Sequence, residues 1–448
     1  MQKSPDITQW SLSSQARALA CGELSCSEVV AAHIAKIKAS NPLINAIVQL
    51  ASERALEEAT IVDRAPQRRP SALRGLPFTM KDNFETQGVV TAIGMSERRD
   101  LIPSRDAALV SHVRCLGGVL LGKTNCPPGG GGLFTDNDVY GRTNNPYDLS
   151  RTPGGSSGGE AAAVAAGMSP YGFGTDSGGS VRVPAHFCGI AAILPTARLL
   201  PVSGVVDDEG PIGMISDPRT RVGVMARSVA DLDLILRAIT PIPATVESVV
   251  PLVPKNPAEV SLSNVRIAVQ TDNGFAPPTE GTQRTIDDAA QILEHAGASM
   301  LEADLPIGGH ELTHEVWRSY GGEMHSAELY SIMRRWDLYR REVMTFFQTF
   351  DAILCPVFDT PAPEHGTIET NGEGVSYTTP YSLTDSPSVV VRCGTSDEGL
   401  PIGLQIVAGP WRDEVALALA GRLEAELGGW SPPPNLPGDT LEPERNCR

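Results

Sequence analysis

Aromatic side chains are scarce in this chain, at 5% of 448 residues, too few for the stacking platforms on which single-stranded bases are read. Positive charge is scarce as well. Thirty-six Lys and Arg face 53 Asp and Glu, a formal charge of −17, which argues against nucleic acid or an anionic membrane surface as the main partner. No apolar run reaches the length of a membrane span, and Met1 to Glu23 has no basic-then-apolar leader, so a cytoplasmic protein is expected. The eight cysteines include no CxxC pair and no Cys/His cluster, a pattern of free thiols in a reducing compartment. Neither a metal nor a cofactor is expected.

What the chain does have is apolar mass, 41% of residues against 20% charged, enough for one large core, and one unusual stretch, Pro153 to Pro184. It reads PGGSSGGEAAAVAAGMSPYGFGTDSGGSVRVP, two serine-bearing glycine turns around a small-residue helix. Glycine runs are costly in backbone entropy, so two so close together mean that the main chain must approach something or take φ > 0. Ser157 followed by Glu160 is a capping-box spacing, which starts the helix at about Ser157 and leaves Ser156 just outside its positive end. The second turn, Asp176 to Ser180, can aim successive backbone N–H groups into one concavity, as an oxyanion hole requires.

Along the chain, Ser11 to Ala39 reads as two amphipathic helices split at Gly22, the second starting at Ser25 and stopping at Asn41-Pro42. Ala51 to Asp63 continues as helix, and Arg64 to Arg74 as an exposed connector. Gly75 to Asn83 places Lys81 at the end of a short buried strand. Gly117 to Thr124 matches the spacing of a phosphate-binding loop, yet Val119-Leu120-Leu121 reads as buried strand and no helix follows Thr124, so that reading is rejected. The glycines after it, Gly129, Gly130, Gly131 and Gly132, form a loop. Helices are expected at Ala107 to Cys115, Ser228 to Ile239, Thr282 to Ala296, through most of Glu315 to Phe350, and at Glu414 to Leu427. Strands are expected at Gly118 to Gly122, Val265 to Gln270, within Gly297 to Ala303, and at Ala352 to Leu354, Ser388 to Arg392 and Ile402 to Val407. Pro241 to Pro257 reads as a linker and the tail from Ser431 as loosely held. This alternation argues for an α/β fold with a mixed sheet.

Lys81, GGSSGGEAAA and GTDSGGSVRVP together resemble the amidase signature family, hydrolases of carbon–nitrogen bonds, with the 24-residue interval from Ser156 to Ser180 matching as well. The resemblance is strongest from Gly75 to Asp231 and implies one domain over residues 1–448: an N-terminal helical segment (5–65), the signature core (75–240), a variable middle (241–350), C-terminal strands and helix (351–430) and a tail. It also implies a central mixed, twisted sheet with helices on both faces. Carried over, it makes Ser180 the nucleophile, Ser156 a bridging serine on a cis peptide, Lys81 the base, and the backbone N–H groups of Ser177, Gly178, Gly179 and Ser180 the oxyanion hole. A neutral lysine must supply the base, because no histidine lies in a motif that could. Where many members carry an acidic or bulky residue after GKTN, this chain has CPPGGGG, which implies that Gly129 to Gly132 open the pocket to bulky or aromatic groups. That points to small-molecule amides and carbamates, including anilides, and to the bacterial aryl-acylamidase and urethanase-like branch, as a monomer or homodimer. Two other readings remain: the glutaminase subunit of a transfer-RNA amidotransferase, and a non-catalytic binding protein on the same fold. A nucleophile elbow at Gly154 to Gly158 is rejected, because Asp148 to Pro153 is not the strand it needs. Arg182 with Asp176 reads as a structural ion pair, His186 as packing and Ser157 as a helix cap.

Overall fold

The computed structural model describes residues 6–65, 71–213, 215–243, 249–319, 324–367, 372–434 and 436. Eleven strands form one sheet among them: β1 (Ile47–Leu50), β2 (Pro77–Lys81), β3 (Val119–Thr124), β4 (Tyr171–Asp176), β5 (Ala191–Leu194), β6 (Arg221–Ala226), β7 (Arg266–Val269), β8 (Ser299–Glu302), β9 (Ala352–Pro356), β10 (Ser388–Thr395) and β11 (Pro401–Ala408). Their order is β1-β3-β2-β4-β6-β5-β10-β11-β9-β7-β8. The sheet is mixed. β2 runs parallel to β3 and β4, and β7 parallel to β8 and β9, whereas β4–β6, β6–β5, β5–β10 and β10–β11 are antiparallel.

Twelve helices accompany it: α1 (Leu12–Cys21), α2 (Cys26–Ile44), α3 (Ser52–Arg64), α4 (Ala108–Cys115), α5 (Gly158–Ala165), α6 (Arg182–Phe187), α7 (Val229–Ile239), α8 (Glu280–His295), α9 (Gly309–Ser319), α10 (Ser326–Thr349), α11 (Thr379–Ser382) and α12 (Asp413–Leu427). Side chains alternate across a strand, so each face of the sheet needs its own cover. Phe78, Met80, Leu120, Tyr171, Phe173 and Val391 pack with Val110, Leu236, Leu293 and Leu419 from α4, α7, α8 and α12. Val119, Leu121, Ala192 and Val390 point the other way, to Ile34, Ala55, Ala162 and Val183 from α2, α3, α5 and α6. The result is a single α/β domain with helices on both faces of the sheet. The N-terminal segment is tied in by buried polar contacts: Asp231 accepts from the Leu12 and Ser13 N–H groups, and Arg227 donates to the carbonyls of Thr8 and Trp10.

The structure corrects several expectations. α2 runs through Pro42 to Ile44 instead of stopping there, because its end is closed later: Asn45 takes a left-handed cap and the Asn41 carboxamide accepts from Ala46 and Ile47. β4 was hidden in a glycine-rich run. A Cβ at Gly172 would strike Glu160, so glycine there serves close packing of strand on helix. β6, for which no strand is expected, starts at Arg221 beside Asp176. The connector at 64–74, the linker at 241–257 and the tail from 431 lie partly outside the described residues.

Candidate active site

Lys81 ends β2 fully buried. Its Nζ lies 2.6 Å from Ser156 Oγ, 2.9 Å from Thr175 Oγ1 and 3.3 Å from the Gly130 carbonyl. Burial pushes the amine down from 10.5 to about 8, with Cys126 and Asp176 pulling the other way. The adjacent carboxylate, Asp82, does not neutralise it. Asp82 points to Lys123, 3.3 Å away and equally buried, whose ammonium also donates to the Phe84 carbonyl and the Thr91 hydroxyl. Lys123 is thus a structural ion-pair partner on β3, a role that sequence reasoning does not assign it.

Ser156 precedes α5, and the Gly155–Ser156 peptide is cis. Gly155 has no room for a side chain: a Cβ would lie 2.6–2.7 Å from the Phe134 backbone and the Gly132 carbonyl. The first turn and the glycine loop are therefore pressed together. Ser157 occupies the N-cap position but does not cap, and the expected capping box is absent. Its hydroxyl donates to the Thr175 carbonyl (3.3 Å), while buried Glu160 accepts from Thr79 and Thr124 on β2 and β3. Burial holds that carboxyl up at about 8, and the two hydroxyls lower it only partly. The Ser157 N–H donates to the Ser180 carbonyl (3.0 Å), joining the two serine turns.

The second turn is organised by Asp176. Burial works against its charge, yet the Arg182 guanidinium and the backbone hold it at about 2. It accepts from Arg182 Nη2 at 2.8 Å and Nε at 3.0 Å, and from the N–H groups of Gly179 (2.7 Å) and Val181 (3.0 Å). The pair is structural, as expected. The Gly179 N–H is thus engaged within the turn, whereas those of Ser177, Gly178 and Ser180 have no partner among the described residues. Ser180 is half-buried, and its hydroxyl bonds to none of them. Ser177 instead shares a 2.7 Å hydrogen bond with Thr220.

Gly129 and Gly130 take left-handed backbone in a short 3-10 turn. Gly130 reaches Lys81 through its carbonyl, and the space beside Gly131 is open. His186 is packing. Its Nδ1 accepts the Gly403 N–H (2.7 Å) and its Nε2 donates to the Thr360 carbonyl (2.9 Å), and burial lowers it to about 4. Sequence reasoning passed over Thr175 and Asn83, although both lie inside the motifs that carry the resemblance. Asn83 Nδ2 donates to Thr175 Oγ1 (3.0 Å), so that hydroxyl joins the lysine to a buried amide whose Oδ1 has no partner. It also missed Trp317, for which no local signal exists. The Trp317 indole lies so close on Gly178 that a Cβ there would overlap its nitrogen. Trp317 stacks on His314 (centroids 6.2 Å), which meets Phe275 (5.3 Å). The Trp317 Nε1 and both His314 nitrogens are buried without partners among the described residues.

Among the described residues no three His, Cys, Asp or Glu side chains gather as round a metal ion, and no helix is long and apolar enough to cross a membrane. A family model described as Amidase matches residues 28–323 and 311–417. An indoleacetamide hydrolase of Bradyrhizobium diazoefficiens is 31% identical over 94% of this chain and 87% of its own. A glutamyl-tRNA(Gln) amidotransferase subunit of Chloroflexus aggregans is 31% identical over 92% and 95%. The solved structure of a fatty acid amide hydrolase superposes with a TM-score of 0.86 over 95% of this chain and 87% of that one, and at 24% identity it speaks for the fold. With this fold and these relatives, the chain belongs to the amidase family, hydrolases of carbon–nitrogen bonds in amides.

Proposed function

We propose that the protein cleaves amides and carbamates through an acyl- or carbamoyl-enzyme on Ser180. The observation that carries this reading is the 2.6 Å contact between the buried Lys81 amine and Ser156. A neutral lysine whose two N–H bonds go to the Gly130 carbonyl and Thr175 Oγ1 aims its lone pair at Ser156. Lys81 takes the Ser156 proton as Ser156 takes that of Ser180, and the Ser180 oxygen attacks the carbonyl carbon. The N–H groups of Ser177, Gly178 and Ser180 receive the developing oxyanion, with that of Gly179 joining if it leaves Asp176. The proton then returns by the same path to the departing nitrogen, the C–N bond breaks, and water repeats the sequence on the ester or carbamate.

The acyl or leaving group is aromatic. In support stand Trp317, His314 and Phe275 stacked against Gly178, and the open space beside Gly131. This reading keeps anilides and aryl carbamates as substrates and a cytoplasmic monomer or homodimer as the working form. A second reading, a glutaminase subunit feeding ammonia to a transfer-RNA amidotransferase, is favoured by the amidotransferase relative. Purified protein alone separates the two by its rates on glutamine, a small aliphatic amide, an anilide and an aryl carbamate. A serine-directed phosphonate should label wild type and not Ser180→Ala; labelling that survives moves the nucleophile elsewhere.

A further inference from the structure

Beside the serine turns, on the rim where β5 ends and β6 begins, lies a cavity of about 240 Å³. Three arginines line it, Arg198, Arg221 and Arg340, with a single acidic residue, Asp385. Asp385 is already committed to Arg340 at 2.6 Å. Arg221 is only 5% exposed, and its Nη atoms go to the carbonyls of Pro195, Ser386 and Tyr381. Its Nε is buried without a partner, and no carboxylate lies within ion-pair distance among the described residues. Burial, with Arg182 nearby, pulls even this guanidinium down to about 10, while Asp385, Asp176 and Asp413 pull the other way from beyond ion-pair distance. Arg198 is exposed, makes no ion pair with the described residues, and has left-handed backbone (φ 69°), as does Asp385 (φ 60°). A buried cation whose counter-charges all lie beyond ion-pair distance is costly, and residues held in such conformations gather at ligand clamps. Leu200, Val202 and Pro218 supply an apolar part of the wall, beside Thr220 and Trp336.

We infer that this cavity binds a small organic carboxylate, its anionic end between Arg198 and Arg221 and its apolar body against Leu200, Val202 and Pro218. Two guanidinium groups beyond the Arg340–Asp385 pair match an oxyanion, and the apolar wall selects a carboxylate on a hydrocarbon body over a bare inorganic anion. The cavity shares Thr220 with the catalytic rim, where its hydroxyl bonds to Ser177. The carboxylate is therefore either the free acid released by hydrolysis or the distal end of a substrate.

Calorimetric titration of the full chain with benzoate, acetate and inorganic phosphate tests this. Benzoate should bind in the millimolar range or tighter, with acetate and phosphate about tenfold weaker. Arg198→Gln, at an exposed position, should melt like wild type and weaken benzoate about tenfold. Arg340→Gln, which releases Asp385 into the cavity, should weaken it at least as much. Inhibition of amide turnover separates the two sources: a competitive pattern assigns the site to the substrate's own carboxylate, a non-competitive one to the free acid. Benzoate affinity unchanged in a folded Arg198→Gln protein, or phosphate bound as tightly as benzoate, overturns the inference.

Discussion

Asp82 follows Lys81 directly in the chain, yet its carboxylate faces Lys123 on the neighbouring strand, 3.3 Å from Nζ. Two buried lysines thus share one acid, and the one beside Ser156 is left without it. This division lets burial act on Lys81 with little opposition.

Lys123→Met should be among the most destabilising single changes, because it leaves Asp82 as a buried charge without its partner. A loss of about 3–5 kcal/mol is expected for breaking such a pair. Urea unfolding measures it; a loss below about 1 kcal/mol would show that the pair contributes little.

Lys81 at about 8 sets the pH dependence. With the neutral amine as the proposed base, kcat/KM should climb about tenfold per pH unit below 8 and level off above. Stability carries the same signature. Below about 8 lysine is protonated in both states, and the burial cost is fully felt. Between about 8 and 10.5 the unfolded chain holds a proton the native one lacks, so wild type gains stability as pH rises. Lys81→Met should be inactive yet more stable at pH 7 by up to about 3 kcal/mol, with the gain shrinking towards pH 10. Paired thermal melts at the two pH values check the sign.

Lys81→Ala and Ser156→Ala should each remove several orders of magnitude in kcat, and the double variant little more than either, since the two groups move one proton. Additive losses in single-turnover rates would contradict the relay.

Trp317→Leu removes the flat surface packed on Gly178. KM for aryl amides should rise by about 3- to 10-fold while small aliphatic amides change little. An equal effect on both classes would assign Trp317 to holding the turn.

Legibility in the sequence followed the range of the contacts. Lys81, Ser156 and Ser180 each lie in a short motif, and Lys81 at the end of β2 and the turn of Ser180 after β4 leave the same end of one parallel pair. What misled was burial. The Ser157–Glu160 spacing has the form of a cap, but a carboxyl sealed between α5 and the sheet finds Thr79 and Thr124 closer than its own helix end. The glycines of β4 concealed a strand because a sequence does not show what must pass close to them. Trp317 reaches Gly178 from a helix far along the chain, a contact that no local pattern announces.

His186 spends both ring nitrogens on the architecture, one accepting from β11 at Gly403 and the other donating to Thr360. An acceptor cannot remain one once protonated. As pH falls from about 6.5 to 4 the unfolded chain takes up a proton that this imidazole refuses, so acidification erodes the fold, and below about 4 it pries β11 from α6, the helix that follows the Ser180 turn. Acid inactivation then has two separable causes, a silenced base at mild pH and a loosened strand at low pH, and only the second should show as lost structure.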